Sequence, residues 1–266
     1  MIRIPEFRRA AAARWAAAAA FALASLAVAP ARAEAPGPVV VAFVGDSMAD
    51  GLWGAMFRRL GKDKCLAERM KLIRKARNGT GLTRLDQFNW VDEIGKIVED
   101  SHPDLFVGSF GINDRQGIVE KDRRAIAYPS PEFDARYTSI VVDLVRAALS
   151  KGASMAIIGL PVMMEGDANA DALEKNKFFE AAIKQVGSDK ATYVQPWNSG
   201  VAPEVFKPYL PNARNEMVMV RAPDGIHFTR VGYDMVMASV YPSLMAILKA
   251  RGRDLEAECP PRLGAR

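Results

Sequence analysis

The stretch "VVVAFVGDSMADG", residues 39–51, decides how the chain is read. A short run of apolar residues ends abruptly at Gly45-Asp46-Ser47. Such a run, closed by a glycine, reads as a buried strand. The amphipathic stretch from Met48 to Leu60 then reads as a helix. Ser47 sits at the junction and admits two readings. It can cap the helix, a role serine favours. It can also be a nucleophile, because amide groups at a helix start face whatever approaches and suit a developing oxyanion.

Further apolar runs at 104–110 ("DLFVGSF") and 153–160 ("ASMAIIGL") read as buried strands, and 71–76 and 191–196 as weaker ones. Helical stretches lie between them: about Trp90 to Ser101, Ser130 to Ser150, Ala170 to Val186, and from Thr229 toward Ala250. Ser130-Pro131-Glu132 is a helix start by composition, with a capping serine, a proline in the first turn and an acid at the positive end of the dipole. Pro242 is expected to kink or split the last helix. The alternation implies an α/β fold with a mostly parallel sheet covered on both faces. Two long segments, Gly111 to Ser130 and Pro196 to Pro223, read as loops, and both follow the carboxyl ends of strands, where open α/β sheets bind ligands.

Residues 1–33 read as a leader rather than as fold. Arg3, Arg8, Arg9 and Arg14 precede an uncharged apolar run from Trp15 to Ala29, and Ala31-Arg32-Ala33 offers small residues for cleavage before Glu34. That apolar run is shorter than the ~20 residues a bilayer span needs. The expected organisation is a signal peptide at 1–33, one folded domain at 34–250 and an extended tail at 251–266, in a periplasmic or secreted protein. The whole chain carries 36 basic and 31 acidic residues, and residues 1–33 hold five arginines and one glutamate. The remainder therefore has 31 basic and 30 acidic residues, a net of +1. Its sequence holds no basic block interleaved with aromatics, which argues against nucleic-acid binding. Cys65 and Cys259 could form a disulfide in an oxidising compartment or remain two thiols; spacing alone does not decide.

The chain has two histidines. His102, in "EDSHPDL", reads as a structural residue at a helix end, where positive charge is favoured. His227, in "APDGIHFTRVGY", has Asp224 three residues upstream, a spacing that can bring a carboxylate to Nδ1. By itself that segment is also an Asp-Gly turn before a capped helix.

Four short blocks occur in order: "GDSMADG", "NGTGLTR" (78–84), "GIND" (111–114) and "DGIH" (224–227). Together they resemble the SGNH, or GDSL-type, hydrolase superfamily. "GINDRQG" and "RAPDGIHFTRVGY" are similar to an exported bacterial branch catalogued as a domain of unknown function. The resemblance implies a flavodoxin-like three-layer α/β/α sandwich with a five-stranded sheet. It implies Ser47 as nucleophile, His227 as general base and Asp224 as its orienting carboxylate. The oxyanion hole would comprise the N–H of Ser47, the N–H of Gly81 and the Asn113 amide, with Gly79 as the alternative to Gly81. Met48 replaces the leucine of the family motif and is expected to pack. No cofactor or metal is implied, and a metal site built on Asp46, Asp114, Asp224 and His227 lacks the usual ligand spacing. Trp197 and Arg115 are candidate substrate contacts, and Lys207, Arg214 and Arg221 are loop charges that are either solvated or ligand-facing. Trp53 and Trp90 could line a sugar surface but fit core positions better.

The expected function is acyl-ester cleavage, with a short acyl group such as acetyl and an acylated cell-envelope glycan as substrate. The alternatives are an acyltransferase fed by a membrane acyl-donor partner, and a non-catalytic glycan-binding protein.

Overall fold

In the computed structural model, which describes residues 37–195 and 205–260, the opening apolar run forms strand β1 (Val39–Gly45). It is followed by α1 (Ser47–Leu60), α2 (Lys64–Arg69), β2 (Met70–Arg74), α3 (Trp90–Ser101) and β3 (Leu105–Ser109). A small hairpin, β4 (Ile118–Val119) and β5 (Ala125–Ile126), leads to α4 (Pro131–Leu149), β6 (Ser154–Ile158), α5 (Gly166–Val186) and β7 (Ala191–Val194). A second hairpin, β8 (Tyr209–Pro211) and β9 (Met217–Met219), precedes α6 (Arg230–Ala250) and α7 (Leu255–Glu258).

The main sheet runs β2-β1-β3-β6-β7, with every neighbouring pair parallel. Counting only these strands along the chain, the order is the flavodoxin-like one, with its reversal between β1 and β3. Both faces of the sheet are covered: α1 packs on α6, while α3 packs on α4 and α4 on α5. Strands buried on two faces must be apolar throughout. Val41, Ala42, Phe43 and Val44 in β1, and all of β3 and β6, are accordingly buried. Each large aliphatic or aromatic side chain so buried contributes about 1.5–3 kcal/mol relative to leaving it exposed.

The β1–α1 junction depends on a glycine. Gly45 lies opposite Ser109 of β3 with φ +125°, and a Cβ there would run into the Ser109 carbonyl. The chain can therefore turn out of the sheet while Asp46 N–H still donates to that carbonyl at 3.1 Å. Parallel strands then carry Ser47 past the carboxyl edge of the sheet, beside the β1/β3 reversal.

Some expectations need correction. Helix α6 is continuous through Pro242 and is not split. The carbonyl that the proline leaves without an intrahelical donor belongs to Ala238, and both residues are on the exposed face of the helix, where water can serve instead. The two long loops contain the hairpins β4–β5 and β8–β9, whose strands are too short to show a clear alternation. The tail read as extended contains α7, capped by Asp254.

Helix α7 leads into Cys259, which is disulfide-bonded to Cys65 of α2, with 5.7 Å between their Cα atoms. The bond ties the end of the described chain to α2 across 194 residues. Closing so long a loop restricts the unfolded chain, so replacing both cysteines by serine is expected to cost about 2–5 kcal/mol. Urea unfolding checks this: the midpoint should fall in the double variant and under reductant alike.

Candidate active site

The helix cap at the β1–α1 junction is Asp46, not Ser47. Asp46 has extended backbone angles, and its Oδ1 accepts the Met48 N–H at 2.8 Å. Ser47 is the first helical residue, so its own amide lacks an intrahelical acceptor and its hydroxyl is released from capping. That hydroxyl lies 2.6 Å from His227 Nε2. Met48, in turn, is buried, with its sulfur 3.5 Å from the Tyr233 hydroxyl.

His227 is brought there by a tight turn. Asp224 Oδ1 accepts the amides of Ile226 and His227, both at 2.9 Å, and Oδ2 lies 2.7 Å from His227 Nδ1. One carboxylate thus shapes the turn with one oxygen and orients the imidazole with the other. Partial burial works against its charge, but the His227 ring and the two amides outweigh it and hold the Asp224 carboxyl below the usual range. Thr229 closes the segment by capping α6, accepting the Gly232 amide at 3.1 Å and donating to the Met219 carbonyl at 2.8 Å.

Asn113 and Gly81 complete the constellation. The Asn113 amide nitrogen donates to the Thr80 carbonyl at 2.7 Å, which fixes the side chain and uses one of its two protons. Gly81 is held from behind by Asp114. The buried Asp114 carboxylate accepts the amide of Leu82 at 2.8 Å, the amide of Thr83 at 3.2 Å, the Thr83 hydroxyl at 2.9 Å and the Tyr137 hydroxyl at 2.8 Å. A Cβ on residue 81 would overlap Asp114 Oδ1, so only glycine fits there, whereas Gly79 has open space around it and φ +75°.

Asp46 and Asp114 form a pair of fully buried carboxyls. Burial, with the nearby Asp114 charge adding to it, pushes Asp46 up to about 8. Burial also raises Asp114, but its four groups of donors favour the charge there. Asp46 therefore keeps its proton well above the ordinary carboxylate range. Among the described residues no three His, Cys, Asp or Glu side chains gather as a metal site; Asp46 accepts a backbone amide, and Asp114 accepts amides and two hydroxyls.

The other sequence candidates scatter. Arg115 is exposed and pairs with Asp167 at 2.8 Å and Glu165 at 3.7 Å. Trp197 lies outside the described residues. Trp90 is core, and its indole N–H donates to Thr80 Oγ1 at 3.0 Å, bracing the Asn113 acceptor segment. Trp53 stacks on Phe57. Lys207 and Arg214 are exposed, but Arg221 is buried. His102 caps α3 in the left-handed conformation at the amino edge of the sheet, opposite Ser47. Sequence reasoning missed Asp114, Thr83 and Tyr137. The only signal was the aspartate of "GIND", which the sequence offered as part of that block and of a disfavoured metal cluster, not as a brace.

A family model described as "Protein of unknown function (DUF459)" matches residues 40–243. The chain belongs to the DUF459 family. No curated protein matches its sequence. Solved structures share the fold. A carbohydrate esterase family 3 protein from Talaromyces cellulolyticus superposes with a TM-score of 0.52 at 14% identity, covering 80% of this chain and 99% of that one. An inhibitor-bound aryl esterase from M. smegmatis gives 0.53 at 11% identity, covering 79% and 99%. The psychrotrophic esterase EstA from Pseudoalteromonas sp. gives 0.51 at 13%, covering 79% and 98%. The DUF459 chain thus has the α/β/α fold of these esterases, in agreement with the resemblance carried by its four sequence blocks.

Two predictions follow from the geometry around Asp114 and Asp46. Gly81→Ala should displace the segment that Asp114 holds and lower ester turnover by roughly 100-fold, the scale of a lost oxyanion donor. Gly79→Ala has room for its methyl but strains a backbone held at φ +75°, so it should cost stability more than turnover; a turnover loss as large as that of Gly81→Ala in a folded variant would count against Gly81 as the donor. For Asp46, the folded chain holds a proton between the ordinary value of 3.8 and about 8 that the unfolded chain has released. Stability from this group therefore declines as pH rises through that window. Thermal unfolding across the same window should show a shallower decline for Asp46→Asn than for the parent chain.

Proposed function

We propose that this DUF459 protein is a serine-dependent acyl-ester hydrolase. The observation that carries the reading is the continuous relay from Ser47 Oγ to His227 Nε2 at 2.6 Å and from His227 Nδ1 to Asp224 Oδ2 at 2.7 Å. In this reading His227 accepts the Ser47 proton as Oγ attacks the ester carbonyl, and Asp224 stabilises the resulting imidazolium. The Ser47 and Gly81 amides and the free Asn113 proton bind the tetrahedral oxyanion. The imidazolium then protonates the departing alkoxide, leaving an acyl group on Ser47. Water, deprotonated by His227, releases the acid and restores the serine.

His227 and Asp224 side chains are 32% and 46% exposed, which gives water access to an acyl-serine and favours hydrolysis over transfer to a second alcohol. The acceptor alternative, an O-acyltransferase with a membrane acyl-donor partner, would use the same residues. We further propose export by the 1–33 leader and an O-acylated envelope glycan as substrate, a short acyl group being the one transferred. Support for these comes from the leader's composition and from the compartment it implies, not from pocket residues.

A fluorophosphonate probe tests the chemistry. It should label the parent chain and not a folded Ser47→Ala variant; equal labelling of the two contradicts the reading. Incubation with p-nitrophenyl acetate and a chitooligosaccharide separates the alternatives, free acetate meaning hydrolysis and acetylated sugar meaning transfer.

A further inference from the structure

Arg221 is 4% exposed, although it lies in a segment whose other basic residues, Lys207 and Arg214, are in solvent. Its backbone bridges antiparallel to Phe228, closing the base of the turn that carries Asp224 and His227. The guanidinium lies between two rings, 4.9 Å from the centre of Phe206 and 4.5 Å from that of Phe228. Its described hydrogen-bond partners are carbonyl oxygens and one sulfur. Nη2 donates to the carbonyls of Ile226 at 2.7 Å and Gly225 at 3.3 Å, and lies 3.8 Å from Met163 Sδ. Nε donates to the His227 carbonyl at 3.3 Å. Nη1 donates to the Val162 carbonyl at 2.6 Å, in the segment between β6 and α5.

Burying a cation is costly, and burial pulls the Arg221 guanidinium down to about 10, with Tyr233 and Asp224 acting in the opposite direction. It stays charged at neutral pH. A purely structural filler for this space would be apolar. What an arginine adds is a rigid planar fork with donors facing several directions at once. Here the fork takes three successive carbonyls of the histidine turn and a fixed carbonyl of a neighbouring segment. The same two segments are joined again by the Met164 amide, which donates to the Gly225 carbonyl at 3.1 Å.

We propose that Arg221 is a positioning residue for His227: it clamps the carbonyls of Gly225, Ile226 and His227 to that of Val162 and so fixes the reach of the imidazole toward Ser47. The proposal rests on the Ser47–His227–Asp224 reading and deepens it. The hydrogen bonds described for Arg221 go to backbone carbonyls, not to the Ser47 hydroxyl or the imidazole nitrogens. It acts through the backbone that carries His227.

The test uses Arg221→Met and Arg221→Lys in the full chain, with folding checked by thermal unfolding. Readouts are p-nitrophenyl acetate kinetics and the imidazole NMR signals, which come from only two histidines, His102 and His227. Because small misplacements of a catalytic group cost on the order of 100-fold, Arg221→Met should lose about that much kcat with KM nearly unchanged. Arg221→Lys keeps a cation but has donors on one nitrogen only, so it should lose about tenfold or more. In both variants the Nδ1–H signal of His227 should shift or broaden while His102 stays in place.

Wild-type kcat and an unshifted His227 signal in a folded variant would overturn the proposal. Full rescue by lysine would overturn it too, since charge rather than the fork would then be what matters. If Arg221→Met does not fold, Arg221→Lys decides alone. A parent chain that neither turns over the ester nor takes the fluorophosphonate would sink the hydrolase reading instead, and the His227 signal would still report on Arg221.

Discussion

A 2.6 Å contact between Ser47 Oγ and His227 Nε2 joins residues 180 positions apart, and much of the fold serves to keep it. One partner arrives on the end of a buried strand and the other on a turn just before α6. The two are held in register because α1, which begins at Ser47, packs along α6, which begins three residues after His227. Gly51 of α1 lies against the Tyr233 ring with no room for a Cβ, so the two helices approach closely just behind the contact. Helix packing therefore brings the elements that bear nucleophile and base together.

Buried charge near the site is held by backbone amides or by an opposite charge. Asp114 ties together the segment at 82–83 and the hydroxyl of Tyr137 on α4. Behind Tyr137 lies Lys175, fully buried, bonded to Asp171 at 2.6 Å and surrounded by the rings of Tyr128, Phe133, Tyr137 and Phe178. Tyr137 thus meets the Gly81 segment with its hydroxyl and the buried Lys175 of α5 with its ring face. Such networks fix geometry when every member is satisfied, and leave a site loose when one is removed.

What could be read in advance was whatever is local. The strand at 39–44, the turn at Gly45 and the Asp224–His227 spacing each follow from neighbouring residues, and the strand–helix alternation follows from composition. Ser47 was read correctly as a junction residue, but capping fell to Asp46, because a choice between adjacent caps depends on backbone angles that sequence does not carry. Asp114 was missed as a brace because its partners lie 31 and 32 residues upstream in amides that any sequence would have. Arg221 looked like a solvated loop charge for a similar reason: its partners are carbonyls and two rings brought together only by the tertiary fold. Pro242 looked like a break, yet α6 runs through it, with the carbonyl it orphans on the exposed face.

The central claim is that Ser47 becomes covalently acylated during turnover. Protein quenched in acid during steady turnover of p-nitrophenyl acetate, digested and read by mass spectrometry, tests it most directly. The account predicts an acetyl group on the peptide bearing Ser47, abolished together with turnover in Ser47→Ala. Turnover at the parental rate in Ser47→Ala, or acetyl carried on another residue in step with turnover, would contradict it.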